Sequence, residues 1–328
     1  MKKILLNFIK KQILITIFSS TLLAAIFMYP TFAPCSAATT TEQISVQSGV
    51  YQYCPTYIDG VILYCSNEAN PWQVKDGIYI DGKRILTTTP DSWDSVQVCD
   101  PTVVAGNFAY NNKSYKYLMA YLGCATYDCT NNEIGFAVSN NLYKWTKVSK
   151  IVAAPNDGSW GVGQPSLLNY NGTIYLFYTS GTVDKTTTYV EQLDCTNLNE
   201  IKHLGQKEIR CNYDYISNAD FAFTEDDYIY MICDTYPFPT GALNFVSAEQ
   251  SIYMAQWDGT LDGFEKVNWD LLTKIGNKIT GHERNHNGCF VRNKFGELIT
   301  NQVYVTTADS IGTWSENLYT YRFRLFNF

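Results

Sequence analysis

The chain has 328 residues, of which 46% are hydrophobic, 15% aromatic and only 17% charged, a balance that excludes a disordered polyampholyte and a coiled coil. Its 25 Tyr, 17 Phe and 7 Trp favour strands over helices, and its length suffices for one large core or two ordinary ones. A net charge of −7 leaves no basic surface to neutralise phosphates, so nucleic acid is excluded as a partner and a neutral polymer fits better.

At the start of the chain, Lys2, Lys3, Lys10 and Lys11 precede an apolar run from Ile13 to Tyr29, and Cys35-Ser36-Ala37 offers small residues for cleavage. This pattern predicts an export signal over residues 1–38 and a secreted domain over residues 39–328. The signal carries four Lys and no acid, so its removal takes the net charge from −7 to −11. The competing reading is an uncleaved anchor, because the run is close to the length of a membrane span. Only in that case is a membrane a partner.

After the signal, one pattern recurs five times: a small residue or Pro, a turn, then alternating aromatic and aliphatic residues. In chain order the copies are Cys54-Pro55-Thr56 with Val61-Ile62-Leu63-Tyr64; Asp100-Pro101-Thr102 with Tyr117 to Tyr121; and Gln164-Pro165-Ser166 with Ile174 to Tyr178. Ala219-Asp220-Phe221 with Tyr228 to Met231 is the fourth, and Asn287-Gly288-Cys289 with Leu298 to Val305 the fifth. Taking Pro55, Pro101, Pro165, Phe221 and Cys289 as equivalent gives steps of 46, 64, 56 and 68 residues, room for four short strands each. A third strand is expected at Ile134–Val138, Thr188–Val190, Ser251–Met254 and Leu318–Tyr321. Asn171-Gly172, Asp81-Gly82 and Asp258-Gly259 supply hairpin turns. With no sustained helical periodicity and no linker, these repeats predict an all-β fold, a five-bladed β-propeller, expected to act as a monomer.

Nine cysteines follow the signal, an odd number: Cys54, Cys65, Cys99, Cys124, Cys129, Cys195, Cys211, Cys233 and Cys289. In an oxidising compartment Cys124 with Cys129, or Cys195 with Cys211, would close small loops. No spacing suits a zinc ribbon.

Asp100-Pro101-Thr102-Val103-Val104, then Ile134-Gly135-Phe136-Ala137-Val138-Ser139 and Leu142-Tyr143-Lys144-Trp145, resemble the first catalytic blade of glycoside hydrolase family 43 and its five-bladed relatives. Val162 to Leu167 with Tyr175 to Thr179 is similar to the next blade. The resemblance spans nearly the whole mature chain as a repeat pattern and implies hydrolysis of glycosidic bonds in an arabinose- or xylose-type polysaccharide or oligosaccharide, without a cofactor.

In a propeller the starts of the inner strands converge on the axis, where carboxylates from different blades meet. Glycoside hydrolysis needs one protonated carboxyl and one ionised one, and a third can tune the acid. The candidates are Asp100, Asp220 in Asn218-Ala219-Asp220, and Glu283 in His282-Glu283-Arg284-Asn285-His286-Asn287. The resemblance implies Asp100 as base, Asp220 as pKa modulator and Glu283 as acid, although the family's Glu-Gly-Pro-like motif is missing here. Glu249 is a substitute acid. Each candidate also has a plainer reading: Asp100 as a turn cap, Asp220 as a structural hydrogen-bond acceptor, Glu283 as the exposed partner of Arg284. Gln164, Trp160, Arg284, His286 and Asn287 are expected to contact sugar, with Trp93 and Tyr236 as further stacking candidates. The resemblance also implies a metal ion or water on the propeller axis beside His286. The alternative function is a propeller that binds carbohydrate without cleaving it.

Overall fold

A computed structural model describes residues 39–43, 51–67, 76–155, 157–182, 185–211, 216–234, 248–309 and 320–328. The expected export signal and Tyr236 lie outside them. Twenty strands form five four-stranded antiparallel sheets. Sheet one holds β2 (Tyr51–Ile58), β3 (Val61–Asn67), β4 (Gly77–Ile80) and β5 (Lys83–Leu86). Sheet two holds β6 (Gln97–Tyr110), β7 (Lys113–Cys124), β8 (Glu133–Ser139) and β9 (Trp145–Val152), and sheet three β10 (Gly161–Tyr170), β11 (Thr173–Gly181), β12 (Thr186–Asp194) and β13 (Lys202–Glu208). Sheet four holds β14 (Ser217–Phe223), β15 (Tyr228–Asp234), β16 (Glu249–Gln256) and β17 (Asp270–Gly276). In sheet five, β18 (Arg284–Arg292), β19 (Leu298–Ala308) and β20 (Arg322–Asn327) are completed by β1 (Thr39–Gln43) from the other end of the chain.

The innermost strands pack in a closed circuit, β2 on β6, β6 on β10, β10 on β14, β14 on β18 and β18 on β2, which is a five-bladed propeller. Each second strand carries a buried run, such as Leu118 to Leu122 in β7 and Ile174 to Tyr178 in β11. Such strands are sandwiched between neighbouring blades and lose the in/out alternation of a half-exposed sheet. The outer strands are polar and exposed, as in Lys202-His203-Leu204.

Two details differ from the sequence reading. The third strand of the last blade is Arg322–Asn327, with Phe323 and Phe326 in its buried positions; of the expected Leu318–Tyr321, residues 318–319 lie outside the described residues and Thr320 and Tyr321 precede the strand. Its fourth strand, β1, pairs antiparallel with β20 from Thr39↔Asn327 to Gln43↔Arg324, so the ring is closed by joining the two ends of the domain. None of the nine described cysteines forms a disulfide, so neither expected pairing is present. Cys124 Sγ is instead engaged by Thr126 and Thr130, and Cys129 Sγ accepts from Gln97.

Candidate functional site on the propeller axis

Each inner strand carries the same irregularity. Its ladder with the second strand breaks between Tyr53 and Thr56, Cys99 and Thr102, Gly163 and Ser166, Ser217 and Asp220, and His286 and Cys289. At the first residue of each break the backbone is left-handed: φ is 47° at Cys54, 50° at Asp100, 55° at Gln164, 49° at Asn218 and 49° at Asn287. These are β-bulges with a left-handed first position, followed by Pro, Pro, Pro, Ala and Gly, residues that need no ladder hydrogen bond there. Non-glycine residues in this conformation are costly and tend to gather where function holds them. The true equivalents are therefore Pro55, Pro101, Pro165, Ala219 and Gly288; Phe221 and Cys289 are out of phase by two residues and one.

The five bulges line a narrow funnel on the axis, open to solvent, with Thr56, Thr102, Asp220 and Cys289 on the next step along their strands. Asp100, Gln164 and Asn287 are half-buried there, whereas Cys54 and Asn218 are almost covered. Among the five bulge residues Asp100 alone bears a carboxylate. Burial pushes its pKa up, opposed by hydrogen bonds from Cys54, the Gln164 amide and Cys99. Gln164 Oε1 accepts from the Asn218 amide at 2.7 Å and from Ser217 Oγ at 3.3 Å, fixing one wall. Asn287 Nδ2 donates to Cys54 Sγ at 2.5 Å across the junction of the last and first blades.

Asp220 shares the funnel with Asp100 but sits one step further along its strand, with both oxygens committed. Ser166 Oγ donates to Oδ1 at 2.7 Å and the Phe290 amide to Oδ2 at 2.9 Å, while Arg292 Nη1 lies 3.2 Å from Oδ1. Arg292, 1% exposed, also reaches Thr102 Oγ1 at 3.0 Å, Ser166 Oγ at 3.4 Å and the Phe221 carbonyl at 2.5 Å, so one guanidinium joins four blades.

Glu283 is a correction to the expected trio: it is exposed on the loop before β18 and does not line the funnel. Only the residues after it enter the strand, and the bulge does not come until Asn287. The substitute, Glu249, is ion-paired with Lys274 at 2.9 Å and lies outside the funnel too. A carboxyl the sequence reading missed stands behind Asn218: Asp234, 1% exposed, accepts from Asn218 Nδ2 at 2.7 Å and from Gln250 Nε2. Burial lifts its pKa to about 7 against the hydrogen bonds from Gln250 and Asn218. Its position at the end of β15, opposite the bulge, is visible only once strands are paired.

Of the expected sugar contacts, Gln164 and Asn287 line the funnel, and Arg284, His286 and Trp160 do not. Arg284 is buried against Tyr321, donating to its hydroxyl and lying 5.5 Å from its ring centre. His286 is buried edge-on to Tyr321, and burial with the nearby Arg284 lowers its pKa to about 3, so it is a neutral imidazole. Among the described residues, the group placed to ligate a metal is Cys54, Cys65 and Asp100 rather than anything at His286. Trp160 covers Gly181, where a Cβ would overlap its indole, and Trp93 stacks on Tyr121 at 5.5 Å in the core.

No family model and no curated protein matches this sequence. Solved structures of the same fold do. An α-L-arabinofuranosidase from Lactobacillus brevis superposes with a TM-score of 0.55 at 10% identity, covering 85% of this chain and 89% of that one. A family 117 glycoside hydrolase from Zobellia galactanivorans gives 0.56 at 9% identity, covering 90% of each chain. The family 93 α-L-arabinofuranosidase of Fusarium graminearum, in complex with arabinobiose, gives 0.52 at 12% identity, covering 89% of this chain and 97% of that one. At such identities the likeness establishes the propeller and no single family.

Proposed function

We propose that the protein is a secreted, monomeric glycoside hydrolase acting on an arabinose- or xylose-type polysaccharide or oligosaccharide, with the axial funnel as its site. The observation that carries this reading is Asp100, the one carboxylate among five bulge residues aimed at the axis, in a funnel that also holds the side-chain amides of Gln164 and Asn287. Amides at a funnel wall suit sugar hydroxyls, which both donate and accept. Asp100 acts as the base that activates water, as in family 43-like enzymes, and Asp220 with Arg292 is the fixed floor beneath it. With Glu283 outside, Asp220 is the one other described carboxyl that lines the funnel, and Asp234, buried behind Asn218, holds that wall in place.

A second reading, a propeller that binds carbohydrate without cleaving it, is favoured by the exposure of Glu283 and by the four uncharged bulge residues. Incubation with arabinan, xylan and their oligosaccharides, followed by NMR, separates the two. New anomeric signals from wild type that vanish in Asp100→Asn support the hydrolase. Ligand binding with no new anomer supports the second reading.

A further inference from the structure

Asp100 has unusual neighbours for a glycosidase carboxylate. The sulfurs of Cys54 and Cys65 and a carboxylate oxygen of Asp100 all lie within 4.8 Å of one another. Cys54 and Cys65 are buried, and Cys54 and Asp100 line the funnel, so an ion among the three is reached from the axis. Two N–H donors already point at the sulfurs: the Asp100 amide at 2.9 Å from Cys65 Sγ, and Asn287 Nδ2 on Cys54 Sγ. Donors aimed at sulfur are the outer contacts that orient and stabilise metal-bound thiolates. Burial pushes the thiols of Cys54 and Cys65 and the carboxyl of Asp100 up from their ordinary values.

We propose that Cys54, Cys65 and Asp100 form a binding site for a thiophilic divalent cation of the zinc class, with a fourth position open to the funnel. Two thiolates and a carboxylate match the ligand preference of Zn²⁺ and disfavour Mg²⁺ or Ca²⁺, which want oxygen. Binding displaces the two thiol protons to solvent and leaves a centre of net charge −1. Three protein ligands plus an open position is the arrangement of a site that holds water or a ligand oxygen. The cation engages the same carboxylate that serves hydrolysis, so metal occupancy and the base role of Asp100 exclude each other. The site stands apart from the glycosidase reading, because it is measured without any sugar.

The test is a titration of the reduced, chelator-stripped full chain with CdCl2, following the thiolate-to-cadmium charge-transfer band in the near ultraviolet. The expected result is saturation at one equivalent, with the band lost in Cys54→Ser and in Cys65→Ser and retained in Cys211→Ser, whose thiol is remote from the cluster. ZnCl2 should displace the cadmium and raise the melting temperature of wild type but not of Cys65→Ser, with both variants checked for native circular dichroism. No band in wild type, or a band that survives in Cys54→Ser and Cys65→Ser alike, overturns the site. Either outcome leaves the hydrolysis measurement standing.

Discussion

At the residue scale, Asp234 shows how burial sets behaviour. A carboxyl with an ordinary value of 3.8 and a folded value of about 7 holds its proton more tightly folded than unfolded. Its contribution to stability is therefore fully present below about 3.8 and is lost as pH rises through about 7. Wild type should lose melting temperature across that window, and Asp234→Asn, which cannot titrate, should lose clearly less; parallel curves for the two proteins would refute this. Asp234 was illegible in the sequence, since nothing in Tyr228-Ile229-Tyr230-Met231-Ile232-Cys233-Asp234 says that its last residue meets Asn218 from the neighbouring strand. Asp100, by contrast, stood out because the Asp-Pro pair marks a bulge locally. Glu283 misled for the opposite reason: a dense polar run announces a site without saying which of its residues cross into the strand.

At the scale of the element, the repeated bulge is the unit of construction. Its left-handed first residue turns one side chain per blade to the axis, and its second residue gives up a ladder bond, which explains why Pro occupies that place three times. Gln164→Val and Gln164→Gly both remove the amide contacts to Asn218, but only Val meets the full steric cost at φ 55°. Val should therefore be less stable than Gly by about 1–3 kcal/mol, read from urea midpoints at equal m. Equal midpoints would mean that the bulge is not strained at this position. The sequence showed three bulges through Pro, whereas Ala219 and Gly288 carry no such mark, and the fourth and fifth repeats were read out of phase for that reason.

For the whole molecule, two devices hold the ring. Arg292 ties the axis by reaching Thr102, Ser166, Asp220 and Phe221, and removing it strands the Asp220 carboxylate in the interior. Arg292→Met should cost about 3–5 kcal/mol, and Arg292→Met with Asp220→Leu should recover much of that loss in urea melts. The second device is β1, whose pairing with β20 joins the ends of the domain; a chain starting after residue 43 should unfold with a lower midpoint than the chain from residue 39. The closing strand was hidden from the sequence because the five residues Thr39–Gln43 carry no sign of their partner in their own composition. Blade number and blade order were legible, since each blade repeats its own buried run. The measurement that bears most directly on the axial site is release of sugar from arabinan- and xylan-derived oligosaccharides by wild type and by Asp100→Asn at matched folding. The account predicts release by wild type and loss of at least a hundredfold in the variant, a drop of the size expected for a removed catalytic base; release undiminished in Asp100→Asn would contradict it.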